Sequence, residues 1–174
     1  MNDTDAIRME IFDLSEKIYQ LGEKYANERL FTFAESCTGG LAATSVTSVP
    51  GISAIFPGGA VTYSNRSKIE LLGVTPETIE KHGAVSGQCA AEMAWGVRKL
   101  FGAKLAVSVT GIAGPGGGNE EKPVGTVWFA LADERGVLAL RKGFYPHRDR
   151  TGVRLSAARC ALKMLINGLI KLEV

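Results

Sequence analysis

Three short segments combine reactive side chains with glycine: Glu35-Ser36-Cys37-Thr38-Gly39-Gly40, Thr62-Tyr63-Ser64-Asn65 with Lys68 one helical turn on, and Thr110-Gly111-Ile112-Ala113-Gly114. Each follows a predicted strand. In open α/β sheets, ligands bind beyond the carboxyl ends of parallel strands, where helix N-termini present free amides. Ser36 is the first candidate nucleophile. The two following glycines permit close backbone approach, and amides of the turn could form an oxyanion hole. The plainer alternative is that Ser36 or Thr38 only caps a helix. Cys37 is a rival nucleophile, since a helix N-terminus lowers a thiol pKa, but on such a turn it could also point inward. A serine needs a base. His82 and His147 lie at no predicted strand end, so a Ser-His-Asp triad is poorly supported. Lys68 could serve if desolvation yielded a neutral amine; otherwise it is an ordinary exposed helix lysine. Tyr63 could relay a proton or simply pack. Asp149 and Arg150 could reach a phosphate or merely begin a helix.

These groups need elements to position them. Ile7, Ile11, Leu14, Ile18 and Leu21 recur at helical spacing, which predicts an amphipathic helix over 4–28. A buried strand follows at 30–34, then a small-residue helix at 39–48 broken by Pro50-Gly51. A strand at 58–63 leads to a helix capped by Ser64 or Asn65 and stopped by Gly73. Thr75-Pro76-Glu77 opens a short helix, and Ser86 caps another over 87–101. Strands at 105–110, 124–132 and 137–144 come next, the last two as an antiparallel hairpin. A long helix over 148–172 closes the chain. Early strand–helix alternation and a late hairpin predict an α/β fold. The expected form is a three-layer α/β/α sandwich around a mixed, largely parallel sheet. The 1–28 helix is expected to pack on a single domain over 29–174.

Composition narrows the classes. The 174 residues suit one domain. No apolar run approaches the ~18 residues of a membrane span, and the first ten residues carry no secretion signal. Three scattered cysteines and two distant histidines support neither a disulfide framework nor a metal site, and fit a reducing cytoplasm. No Walker motif, dinucleotide fingerprint or GxSxG elbow occurs. Residues 141–174 hold eight bases against two acids. Without interleaved aromatics, that basic stretch does not argue for a nucleic-acid partner. Small residues in the helices suggest a homo-oligomer. Glycine is the outlier at 21 residues, 11 of them within 39–59 and 111–125.

Taken together, AESCTGG (34–40), PGGAVTYSN (57–65) with Lys68 and LLGV (71–74), HGAVS (82–86) and VTGIAGPGGG…EKPVGTV (109–127) resemble the CinA C-terminal-domain family. The resemblance covers about residues 31–170. Enzymatic members of that family are nicotinamide mononucleotide amidohydrolases. The resemblance implies catalysis by Ser36, Lys68 and Tyr63, with no metal or cofactor. It implies a mononucleotide substrate bordered by Glu35, Cys37, Thr38, Gly39, Gly40, Thr110, Gly111, Gly114 and Arg150. Two departures stand out. A lone helix stands where many members carry a further N-terminal domain, so a stand-alone form is expected. Pro146-His147-Arg148-Asp149-Arg150 also replaces the glycine of the family's Gly-Asp-Arg run with Arg148. A non-catalytic accessory protein of competence or DNA repair, or an amidase of another substrate, is the alternative.

Overall fold

Two phenylalanines on one strand explain where the centre of the molecule lies. In this computed structural model, which describes residues 3–172, Phe31 and Phe33 are fully buried and pack with the ring of Phe56. They belong to β1 (Phe31–Glu35), all five residues of which are buried. A strand buried on both faces must be covered by helices on both sides.

The sheet has five strands in the order β2-β1-β3-β4-β5. β2 (Gly59–Val61) and β3 (Leu105–Gly111) flank β1 in parallel. β4 (Thr126–Asp133) and β5 (Gly136–Phe144) continue the sheet antiparallel through a two-residue turn. The expected mixed sheet and late hairpin are therefore present, with parallel pairing confined to β2, β1 and β3. β5, at the edge of the sheet, is mostly exposed, with only positions 136, 138 and 143 partly buried.

One face carries α1 (Asp3–Gly22), α2 (Leu41–Thr47) and α6 (Arg150–Lys171). Ile7, Ile11 and Ile18 of α1 share a core cluster with Val153, Leu162 and Leu165 of α6. The other face carries α3 (Asn65–Leu72), α4 (Pro76–His82) and α5 (Gly87–Phe101). Small residues let α5 approach the sheet closely: Ala90 and Ala94 cluster with Ala130 and Ala132 of β4. Caps match their residue types. Ser64, Thr75, Ser86 and Asp149 each accept an amide of their own helix. Asp149 thus begins a helix.

Several boundaries differ from expectation by two residues or more, among them the start of β4 at Thr126 and of α6 at Arg150. α1 stops at Gly22, which packs closely on Ile55: a Cβ there would lie 2.5 Å from Ile55 Cδ1. A 3-10 turn (Glu23–Tyr25) then carries the chain away. α2 begins at Leu41, since Gly39 and Gly40 adopt left-handed φ values of 62° and 94°. β2 ends at Val61, where the chain turns off toward α3. Residues 1, 2, 173 and 174 of the expected 1–28 and 29–174 extents lie outside the described residues.

Candidate active site

The carboxyl ends of β1, β2 and β3 lie side by side because these strands are parallel neighbours. Ser36 follows β1 directly. Its amide donates to Val109 O at 2.9 Å, which keeps the residue tied to β3. The exit of β2 is tied to β1 in the same way, Thr62 N donating to Glu35 O at 2.8 Å. The chain then enters α3 through the Ser64 cap, and Lys68 N donates to Ser64 O. Helical side chains tilt toward the N-terminus, so Lys68 reaches back to the strand exits.

There the ammonium meets the serine. Lys68 Nζ donates to Ser36 Oγ at 2.9 Å and to Thr62 O at 2.7 Å. Lys68 is 1% exposed and Ser36 7%. Burial pulls the Lys68 pKa below the ordinary lysine value, against the opposing pull of Cys89 and Cys37. A buried amine of lowered pKa, hydrogen-bonded to a serine hydroxyl, has the arrangement that base-assisted nucleophilic chemistry requires. The exposed-lysine alternative does not apply.

The turn after Ser36 is built by its neighbours. Gly40 at the N-cap of α2 has no side chain to offer. The carboxylate of Glu35 takes that place: Oε2 accepts from Gly40 N at 3.0 Å and Ala42 N at 3.1 Å, and Oε1 from Ala43 N at 2.8 Å. The amides of Cys37 and Thr38 donate to no carbonyl or carboxylate among the described residues. The hydroxyls of Thr38 and Thr62 are buried without a partner there.

Two expected contacts need correction. Glu35, expected against substrate, is 1% exposed and turned into the protein, where its oxygens serve α2. The Cys37 thiol, weighed as a rival nucleophile and as a substrate contact, lies in the core among α2 and α6 residues. Burial pushes it up to about 12, far from a thiolate at neutral pH.

The remaining residues fall into two groups. Thr110 and Gly111 line the exit of β3, but Thr110 Oγ1 donates to Ala84 O at 2.8 Å. A Cβ on Gly111 would lie 2.8 Å from Thr126 O, so its glycine serves close strand approach. Tyr63 is not joined to Ser36 or Lys68. It is 60% exposed, and Arg150 Nη2 donates to its Oη at 2.6 Å. Arg150 Nη1 donates to Gly114 O at 2.7 Å. One guanidinium thus ties the β2 exit to the loop after β3.

One contributor escaped the sequence reading. Arg154 Nη2 donates to Thr38 O at 2.9 Å, and a Cβ on Gly39 would lie 3.3 Å from the same atom. Its spacing of four from Arg150 places both on one helix face, a signal the sequence contains. A cavity of about 510 Å³ lies between α3 and α5 and is lined by Leu71, Trp95 and Leu100 among others. Neither Ser36 nor Lys68 borders it. Among the described residues, no group of three or more His, Cys, Asp or Glu is placed to hold a metal, and no helix is long and apolar enough to cross a membrane.

This fold and site define a three-layer α/β protein with a buried serine–lysine pair at the carboxyl ends of its parallel strands. The model of the CinA C-terminal domain matches residues 13–169. The chain belongs to the CinA C-terminal domain family. It is 54% identical over 141 residues to the nicotinamide-nucleotide amidohydrolase PncC of Enterobacter agglomerans, covering 80% of this chain and 85% of that one. It is 48% identical over 156 residues to PncC of Escherichia coli K12, covering 90% and 93%. A CinA-like protein of Fervidobacterium nodosum is 43% identical over 170 residues, and there the match spans 92% of this chain but 41% of the relative. The crystal structure of the competence/damage inducible protein CihA from Agrobacterium tumefaciens superposes with a TM-score of 0.87 at 43% identity, covering 91% of this chain and 94% of that one.

Proposed function

We propose that this protein hydrolyses the carboxamide of nicotinamide mononucleotide, giving nicotinate mononucleotide and ammonia, with Ser36 as nucleophile and Lys68 as base. The observation that carries the reading is the 2.9 Å contact between Lys68 Nζ and Ser36 Oγ in a buried setting. Burying a lysine is costly unless the group is partnered or used. A pure binding module gains nothing from one aimed at a serine. The amidohydrolase names of the relatives from Enterobacter and Escherichia support the substrate.

Ser36 Oγ attacks the amide carbon as neutral Lys68 takes its proton. The carbonyl oxygen becomes an oxyanion, for which the amides of Cys37 and Thr38, with no carbonyl or carboxylate acceptor of their own among the described residues, serve as donors. Collapse breaks the C–N bond. Lys68 returns its proton to the leaving nitrogen, releasing ammonia and an ester on Ser36. Water then attacks the ester as Lys68 takes a proton from it, and Ser36 regains its hydrogen. Tyr63 and Arg150 border the mouth, where the guanidinium suits a phosphate; the family's tyrosine acts here on bound substrate. The loop after β3 borders the same mouth, held to Arg150 through Gly114 O.

Ammonia release from nicotinamide mononucleotide by the purified protein tests the proposal. The wild type should turn over. Ser36→Ala and Lys68→Ala should each lower kcat by ~10³-fold or more, the scale of losing one member of a catalytic unit. A wild type that releases no ammonia overturns the substrate. Full activity of Lys68→Ala removes the base and leaves the substrate standing.

A further inference from the structure

We propose that Glu35 is a positioning residue: its carboxylate pins the start of α2 to the end of β1 and so fixes the 36–40 turn that presents Ser36. The inference rests on Ser36 as the nucleophile.

Consecutive strand residues point to opposite faces. Ser36 meets Lys68 on the α3 face, so Glu35 faces α2 on the other. α2 begins with left-handed Gly40, which leaves its first amides without a side-chain cap. Glu35 accepts from three of them, at Gly40, Ala42 and Ala43. The intervening turn is therefore fastened at both ends: Ser36 N is held by Val109 O, and the amides of Gly40, Ala42 and Ala43 are held by Glu35. Within it, Gly39 N donates to Ser36 O at 3.0 Å. A loop this short with fixed ends has few conformations left. The one adopted aims Ser36 Oγ at Lys68 and leaves the Cys37 and Thr38 amides with no carbonyl or carboxylate acceptor among the described residues.

Glu35 is not a second acid or base. Both oxygens accept from backbone amides, which are far too weakly acidic to transfer a proton, and the group faces away from Ser36. Glutamine is nearly isosteric, yet its amino group cannot accept a hydrogen bond. Glu35→Gln therefore sets a donor against at least one α2 amide and loosens the turn. A misplacement of ~1 Å at a reacting group can lower turnover ~100-fold.

The experiment compares wild type, Glu35→Gln and Glu35→Asp with nicotinamide mononucleotide, counting competent sites with a serine-reactive fluorophosphonate. Positioning predicts for Glu35→Gln a kcat per titrated site ~10- to 100-fold lower, a KM within ~3-fold and an unmoved pH midpoint. Glu35→Asp keeps the charge but draws it back by one carbon. It should lose ~3-fold or more per site, whether or not Glu35→Gln folds. Wild-type kcat per titrated site in Glu35→Gln, or in Glu35→Asp where the glutamine variant does not fold, overturns the proposal and leaves a purely structural role. A shifted pH midpoint with an unchanged plateau also overturns it, making Glu35 an electrostatic partner of Lys68. Wild type that neither labels at Ser36 nor releases ammonia overturns the nucleophile reading instead.

Discussion

Gly96 lies on α5, and a methyl group there should disable the site without touching it. A Cβ built on Gly96 would lie 1.8 Å from Leu72 O and 2.7 Å from the Leu72 carbonyl carbon. Ordinary contact begins near 3.4 Å. The obstruction is backbone on the last turn of α3, so no rotamer change relieves it, and the two helices must part by ~1.5 Å. Such overpacking costs ~3 kcal/mol. Alanine recovers ~1 kcal/mol as the better helix former. Gly96→Ala should therefore lose ~2 kcal/mol, or ~4–8 °C in Tm for a chain of this size.

The same displacement reaches the chemistry, because α3 carries Lys68 one turn before Leu72. The 2.9 Å contact with Ser36 cannot survive a helix shift of that size unchanged. The kcat for ammonia release should fall ~10- to 100-fold in protein that is still folded. Urea unfolding and steady-state kinetics on one preparation measure both effects. Gly96→Ala with wild-type stability and wild-type kcat would refute the reasoning, since it would show that α3 can yield without moving Lys68.

Lys68 must be neutral to accept the Ser36 proton, so kcat/KM should rise with pH, with a midpoint below the ordinary lysine value of ~10.4; a midpoint at or above ~10.4 in the pH–rate profile would contradict its burial as the cause. The sign for stability is the same. Between the folded and unfolded Lys68 pKa values the unfolded chain binds more protons, so this group's contribution to stability rises with pH across that window. Below it the burial penalty is fully present, and the stability gap between wild type and Lys68→Met, followed by urea unfolding, should narrow or reverse as pH rises through it. Cys37 and Cys89, raised to about 12 and about 11 by burial, should resist iodoacetamide at pH 7.5 until the protein unfolds, and rapid alkylation of the native protein would contradict their placement.

The fold was legible where local chemistry agreed with burial. Ser64, Thr75 and Ser86 announce their helices because each side chain caps its own backbone. Gly73 and Gly102 end theirs in the left-handed conformation that glycine adopts freely. Gly22 was not legible as a stop: it keeps helical dihedrals, and the side chain it packs on, Ile55, lies more than thirty residues along the chain. Lys68 is the same case in the site. Its spacing from Ser64 marks a helix position, but its burial depends on β1, β2 and α5 closing around it. Periodicity on an eight-residue helix cannot supply that.

Glu35 and Tyr63 turn in opposite directions, and together they show what a polar residue at a strand end can mean. Both sit beside the candidate nucleophile's elements; the family resemblance implies a substrate contact for Glu35 and a catalytic part for Tyr63. Glu35 points inward because the glycine that frees the Ser36 turn also deprives α2 of a cap, and the nearest acid must supply one. That signal was readable: a Gly-Gly helix start preceded by a lone buried acid. Tyr63 points outward because β2 is an edge strand of three residues, with no neighbour to cover its exit. Arg150, from the far end of the chain, then fastens the phenol to the rim of the site. A strand-end side chain thus takes its role from the element on its open side: a helix in need of acceptors for Glu35, solvent and a cation for Tyr63.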